Sequence, residues 1–238
     1  MLCWRMKMLE TLKEALFIEN GRCPICKRVL FFTKDHICID CVKKLERPSG
    51  REAAEMFPGD PSKRRHGVYL YKGNIKEITH LMKFDNRPGL CSFMGKLVGR
   101  ELALLERQDE LEELDLIIPV PLHLNGIKER GYNQSELMAM EIKSELSKKN
   151  LALRSKVAID VLVKTRDTPH QRDLKKSERL VNVKDAFEIK NPEMIRGRKV
   201  LLVDDICTTG ATVHACREAI LKEGASSVVV VVMAVVEI

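Results

Sequence analysis

Residues 200–212 read VLLVDDICTTGAT, and this string limits the fold more than any other segment of the chain. Val200, Leu201, Leu202 and Val203 form a short bounded apolar run, the pattern of a buried strand. Asp204 and Asp205 stand where that strand is expected to end. Thr208, Thr209, Gly210, Ala211 and Thr212 follow as a loop of small and hydroxylated residues leading into a helical pattern. Strand, tight loop and helix make one unit of an α/β sheet, and ligands of open α/β sheets collect at the carboxyl ends of strands. A helix N-terminus brings unpaired N–H groups and a partial positive charge, which suit a phosphate. Adjacent carboxylates accept hydrogen bonds from neighbouring sugar hydroxyls. A phosphate cradle and a diol clamp a few residues apart match a ribose 5-phosphate. The plainer alternative is a strand, a turn with two solvated Asp and a Thr-rich helix start. No Walker motif and no GxGxxG string occurs, so the common nucleotide cradles find no support.

The remainder alternates in the same way. A helical pattern over residues 8–19 puts Leu9, Leu12, Leu16 and Phe17 on one face. A strand is expected over Gly67–Tyr71, and Asn74 is placed to cap a helix running to about Phe84. Further helices are expected from Pro88 to about Glu106 and from Asn133 to Lys148, with strands over Leu114–Pro121, Val157–Val163 and Val228–Val236. This order predicts an α/β fold, a mostly parallel sheet flanked by helices. A length of 238 residues accommodates one such domain and a small appendage. The expected boundaries are an N-terminal helix and cysteine ribbon at 1–46, a basic linker rich in Pro and Gly at 47–66, and the α/β domain at 67–238.

Four of the eight cysteines are ordered in two CxxC pairs, Cys23 with Cys26 and Cys38 with Cys41, eleven residues apart. Each pair offers two sulfurs from one turn, which suits a tetrahedral zinc ion in a small N-terminal zinc-binding module. Four thiolates close the coordination sphere, so that zinc is expected to be structural. Two disulfides are the competing account and do not suit a reducing compartment. His36 lies between the pairs as a substitute ligand. Cys207, inside the loop, fits either close packing beside a backbone cradle or a redox switch.

Composition describes a soluble globular chain, 45% hydrophobic and 32% charged. Aromatic residues make up only 5%, which argues against broad base-stacking platforms. The net charge of +7 is uneven, since residues 1–66 carry 14 basic and 9 acidic side chains. That excess either solvates a small module or meets nucleic acid or an acidic protein surface. The nine-residue apolar run Val228–Val236 is too short for a membrane helix. The first seventeen residues scatter their charges and lack the apolar centre of a secretion signal, so the chain reads as cytoplasmic, without membrane insertion.

Two further segments present positive charge. PVPLHLNGIKERGYNQSEL at 119–137 offers Lys128, Arg130, Gly131, Tyr132 and Asn133, and KTRDTPHQRDLKKSER at 164–179 offers Arg166, Gln171 and Arg172. Both fit a diphosphate leaving group, and both also fit ordinary solvated surface. The second segment has the polarity of a lid.

VLLVDDICTTGAT resembles the 5-phosphoribosyl-1-pyrophosphate (PRPP) motif of type I phosphoribosyltransferases. With CPIC…CIDC, YKGNIKEITHLMKFDN at 71–86, the ERGYNQSEL block, LVKTRDTPHQR and RLVNVKDAF, the chain resembles the ComF/GntX family of competence-associated phosphoribosyltransferase-like proteins over nearly its whole length. The resemblance implies a type I phosphoribosyltransferase fold behind a zinc ribbon and a link to DNA uptake in natural transformation. It implies that Asp204 and Asp205 clamp the ribose hydroxyls, directly or through Mg²⁺, and that Thr208 to Thr212 bind the 5-phosphate. Lys128, Arg130 and Arg166 would assist departure of pyrophosphate, giving a catalytic set with the two acids. Many purine phosphoribosyltransferases have Asp where Thr208 stands, and a Thr is no general base near neutral pH, so the match departs from purine salvage. The acceptor would be a base or an amine. The alternative is a non-catalytic PRPP- or nucleotide-sensing adaptor that binds single-stranded DNA or the uptake machinery.

Overall fold

The computed structural model describes residues 21–30, 36–48, 65–104, 108–166 and 186–236. The expected helix at 8–19, most of the 47–66 stretch, and Gln171 and Arg172 lie outside the described residues. The chain divides into two compact units, Met1–Leu45 and Glu46–Ile238.

In the small unit, Arg22 and Val29 form an antiparallel bridge around the turn that carries Cys23 and Cys26. The amide of Cys23 donates to Arg28 O at 2.7 Å and that of Lys27 to Cys23 O at 2.8 Å, which closes the turn. The second pair sits at the start of a short helix, α1 (Ile39–Lys43), with Cys38 as its N-cap. Arg28 and Asp40 form an ion pair that ties turn to helix. Besides the cysteines, the described buried apolar residues here are Leu30, Ile37 and Leu45.

The large unit is built on five parallel strands: β1 (Arg65–Leu70), β2 (Leu116–Pro119), β3 (Lys156–Val157), β6 (Lys199–Cys207) and β7 (Ser227–Val235), in the order β1-β7-β6-β2-β3. The helices are α2 (Asn74–Phe84), α3 (Pro88–Leu102), α4 (Gln108–Glu112), α5 (Leu124–Arg130), α6 (Gln134–Ser147) and α7 (Ala211–Lys222). Strands β6 and β7 are covered on both faces, which explains their unbroken Val and Leu runs. Val200, Leu202, Val228, Val230 and Val232 pack in one cluster with Val213, Cys216 and Ile220 of α7. The alternate residues of the strands face the layer that holds α3 and α6. Those two helices cross closely because α3 has no side chain at Gly95 and Gly99. A Cβ at Gly95 would lie 2.8 Å from the Cα and the carbonyl oxygen of Met138 in α6.

Strand β6 leads through α7 to β7 on one side of it, and β2 leads through α6 to β3 on the other. The β6–β2 boundary is therefore the switch point of the sheet, where a crevice opens beyond the strand ends.

Several boundaries differ from those expected. Asp204 and Asp205 do not follow the strand. They lie within β6, which runs on to Cys207 because β7 keeps pairing with it, Val232 opposite Asp204 and Val235 opposite Cys207. Strand β2 stops at Pro119, opposite Val203, so β6 loses its other neighbour where the acids begin. The single strand expected over Val157–Val163 is two. Lys156–Val157 pairs with β2, the backbone bends over residues 159–161, and β4 (Leu162–Lys164) pairs antiparallel with β5 (Phe187–Ile189). Asn74 does not cap α2. Gly73 takes that position with φ 52°, a left-handed value suited to glycine. Helix α3 ends at Leu102 rather than near Glu106.

Candidate functional site

Side chains alternate along β6, so Asp204 continues the Val200–Leu202 row toward α7, and Asp205 continues the Leu201–Val203 row toward α2 and α3. Both carboxylates are buried. Asp204 Oδ1 accepts from Ser135 Oγ at 3.1 Å and from the Asp205 amide at 2.9 Å. Asp205 Oδ1 accepts from the Ile206 amide at 2.7 Å, and Asp205 Oδ2 meets Lys83 Nζ at 2.8 Å. Burial, reinforced by the charge of Asp205, pushes the Asp204 carboxyl up to about 7, against the pull of the Asp205 amide, Lys83 and Ser135. Asp204 is thus poised to change charge near neutrality.

The loop after β6 turns over residues 208–210 and ends at Gly210, the N-cap of α7, with φ 77°. Only glycine takes that conformation without strain. Among the described residues, no backbone carbonyl accepts from the amides of Thr209, Gly210 or Ala211. Thr209 Oγ1 is buried and has no hydrogen-bond partner. A buried hydroxyl without a partner is unfavourable by about 1–3 kcal/mol unless a ligand completes it. Thr208 is half-buried at the loop start and Thr212 lies in the first turn of α7.

Within the 119–137 block, Gly131, Tyr132, Asn133 and Gln134 serve the fold. Gly131, φ 77°, ends α5, and Asn133 caps α6, accepting from the Ser135 amide at 3.1 Å and donating to Val120 O at 3.0 Å. This cap delivers Ser135 to Asp204. Tyr132 Oη donates to Met82 O at 2.8 Å and accepts from the Arg87 amide at 3.0 Å. Gln134 Nε2 also donates to Met82 O, at 3.3 Å. Arg130 donates to Gln134 Oε1 at 3.3 Å and lies over the Phe84 ring, 5.8 Å from its centre. The block therefore fastens the C-terminal end of α2. Lys128 is exposed on α5, and Arg166 is exposed just beyond β4.

In the small unit the Sγ atoms of Cys23, Cys26, Cys38 and Cys41 all lie within 4.8 Å of one another, with Cys26 and Cys38 at 3.5 Å. Tetrahedral zinc with bonds of about 2.3 Å would set its sulfurs about 3.8 Å apart, so the donor set fits. No disulfide joins the described cysteines. The Arg28 amide and the Cys38 thiol draw the exposed Cys26 thiol down to about 7, toward the thiolate that binds metal.

Comparison with known proteins adds to this geometry. Residues 121–236 match the phosphoribosyl transferase domain. The DNA utilization protein YhgH of Escherichia coli O6:H1 is 29% identical over 230 residues, covering 95% of this chain and 93% of that protein. Competence protein F of Haemophilus influenzae is 25% identical over 225 residues, covering 88% and 94%. These likenesses support the ComF family. The chain's fold is that of the type I phosphoribosyltransferases, a parallel sheet between helices, with the cysteine cluster in front. Among solved structures, the hypoxanthine-guanine phosphoribosyltransferase of Leishmania donovani is similar at 13% identity, covering 61% of this chain and 71% of that one, with a TM-score of 0.36. No described helix is long and apolar enough to cross a membrane.

Two residues of this site escaped sequence reasoning. Ser135 had no signal of its own, being one hydroxyl in a helix start. Lys83 sits in the 71–86 stretch that carries the family likeness, yet its charge looks like any surface lysine until α2 is folded against β6.

Proposed function

We propose that this protein binds PRPP at the carboxyl end of β6 and transfers its phosphoribosyl group to a base or amine. The observation that carries the reading is the buried carboxylate pair beside a loop whose amides and Thr209 hydroxyl await an acceptor. The amides of Thr209, Gly210 and Ala211, with the hydroxyls of Thr208, Thr209 and Thr212, receive the 5-phosphate at the N-terminus of α7. Asp204 and Asp205 accept hydrogen bonds from the two ribose hydroxyls and fix the ring. Positive charge from Lys128, Arg130 and Arg166 favours the diphosphate as its bond to C1 lengthens. Mg²⁺ carried on the diphosphate oxygens would supply further neutralisation of the leaving group. The carboxylates also stabilise the cationic character that grows on the sugar, so electrostatics dominates over proton transfer. Thr208 leaves this loop without a general base.

The cysteine cluster is proposed to hold one structural zinc. The names of the relatives, DNA utilization protein and competence protein, attach this activity to DNA uptake. The test is calorimetry of PRPP with Mg²⁺, followed by pyrophosphate release across a panel of bases and amines. A gel shift with single-stranded DNA at two salt concentrations runs beside it. Binding with turnover supports transfer. Binding without turnover, together with a salt-sensitive shift, supports the adaptor instead. No binding of PRPP removes transfer and the PRPP-sensing form of the adaptor.

A further inference from the structure

Lys83 is the cation that the site carries and the family motif does not explain. Its ammonium lies 2.8 Å from Asp205 Oδ2, and the two side chains are only 18% and 11% exposed. Its place is held from outside α2. Met82 O, one residue before it, accepts from both Tyr132 Oη and Gln134 Nε2, and Tyr132 Oη takes the Arg87 amide after it. Three side-chain contacts from another element thus fasten the backbone on either side of Lys83. Residues far apart in sequence converge to present one ammonium to one carboxylate.

Resting on the PRPP reading, we infer that Lys83 is a diphosphate-binding residue, resident on Asp205 in the free protein and handed to the ligand when the ribose hydroxyls occupy that carboxylate. A ribose hydroxyl that donates to Asp205 Oδ2 competes with the Lys83 ammonium for that oxygen and loosens its hold. The diphosphate on C1 is the neighbour of the C2 hydroxyl, so it enters beside the displaced ammonium. It bears more negative charge than one carboxylate. A lysine suits such an exchange, because its charge is compact, carries three donors and rides on a flexible stem. In this arrangement the ERGYNQ residues Tyr132 and Gln134 position the cation, while Asp205 stays paired with Lys83 until substrate arrives.

The inference predicts selectivity between two ligands that share the 5-phosphate and hydroxyls and differ in the diphosphate. The full-length protein is titrated with PRPP and with ribose 5-phosphate, both with Mg²⁺, as wild type, Lys83→Gln and Lys83→Arg. Lys83→Gln is expected to weaken PRPP at least tenfold and ribose 5-phosphate less than threefold, and Lys83→Arg to recover most of the PRPP affinity. Equal loss for both ligands, including loss of all binding, means that Lys83 only balances the buried acids, and it overturns the inference. So does unchanged PRPP affinity. If the wild type binds neither ligand, the PRPP reading itself has failed, which is a separate result.

Discussion

Replacing Asp204 by Asn separates what this site does for stability from what it does for binding. The folded protein holds the Asp204 carboxyl at about 7, against an ordinary value of 3.8. Folding therefore favours the protonated form. The group's contribution is fully present below about pH 4 and is lost as pH rises through about 7. At about 1.4 kcal/mol per unit, ionised Asp204 disfavours the native state by at most about 4 kcal/mol at pH 8, and by less than 2 kcal/mol at pH 5. Asn keeps a side-chain oxygen for Ser135 Oγ and the Asp205 amide, and it does not ionise. Asp204→Asn is thus expected to gain on wild type as pH rises, by roughly 2 kcal/mol between pH 5 and pH 8. For a protein of this size that is about 4–8 °C in Tm. The assay is thermal unfolding of both proteins without ligand at the two pH values, the difference between them cancelling the titrating groups that do not interact with Asp204. Calorimetry with PRPP and Mg²⁺ on the same samples should show binding severely weakened. Wild-type binding should strengthen from pH 6 to pH 8 as the acceptor forms. A stability gap that is the same at both pH values, or that narrows toward pH 8, refutes the argument.

Three other outcomes follow from the same reasoning. Cys38→Ser should leave less than one zinc per chain by metal analysis and unfold the small unit, and a purified variant with stoichiometric zinc would show the ligand assignment to be wrong. Thr209→Val removes a buried hydroxyl that has no partner among the described residues, so Tm should hold or rise while PRPP affinity drops about tenfold, roughly the strength of one lost hydrogen bond. Gly95→Ala forces a methyl to 2.8 Å from the Met138 backbone and should lower stability by about 1–3 kcal/mol in denaturant titration, with the cysteine cluster unaffected.

The sheet was legible because its central strands are buried on both faces and therefore spell themselves out in Val and Leu. The turn after β6 was legible because a tight passage from strand to helix needs small residues and a glycine with positive φ. What could not be read are quantities that depend on a neighbour. The length of β6 past the acids is set by β7, and the break within 157–163 is set by two different partner strands. The basic block at 119–137 looked like a surface aimed at diphosphate, yet Tyr132, Asn133 and Gln134 spend their hydrogen bonds on Met82, Arg87 and Val120. Polar side chains advertise their chemistry in a sequence but not their recipient. Lys83 is the same lesson reversed, an unremarkable residue given meaning by a contact 122 positions away.

Consecutive positions on a strand look out on opposite sides, and the paired acids inherit that division. Asp204 belongs with Cys216 and the helix that starts at the threonine loop, whereas Asp205 belongs with Lys83 and the helix after the first strand. A sugar gripped by both would straddle the sheet's rim and bridge the two helical layers. Any force felt by one helical layer would then reach the other through the ligand.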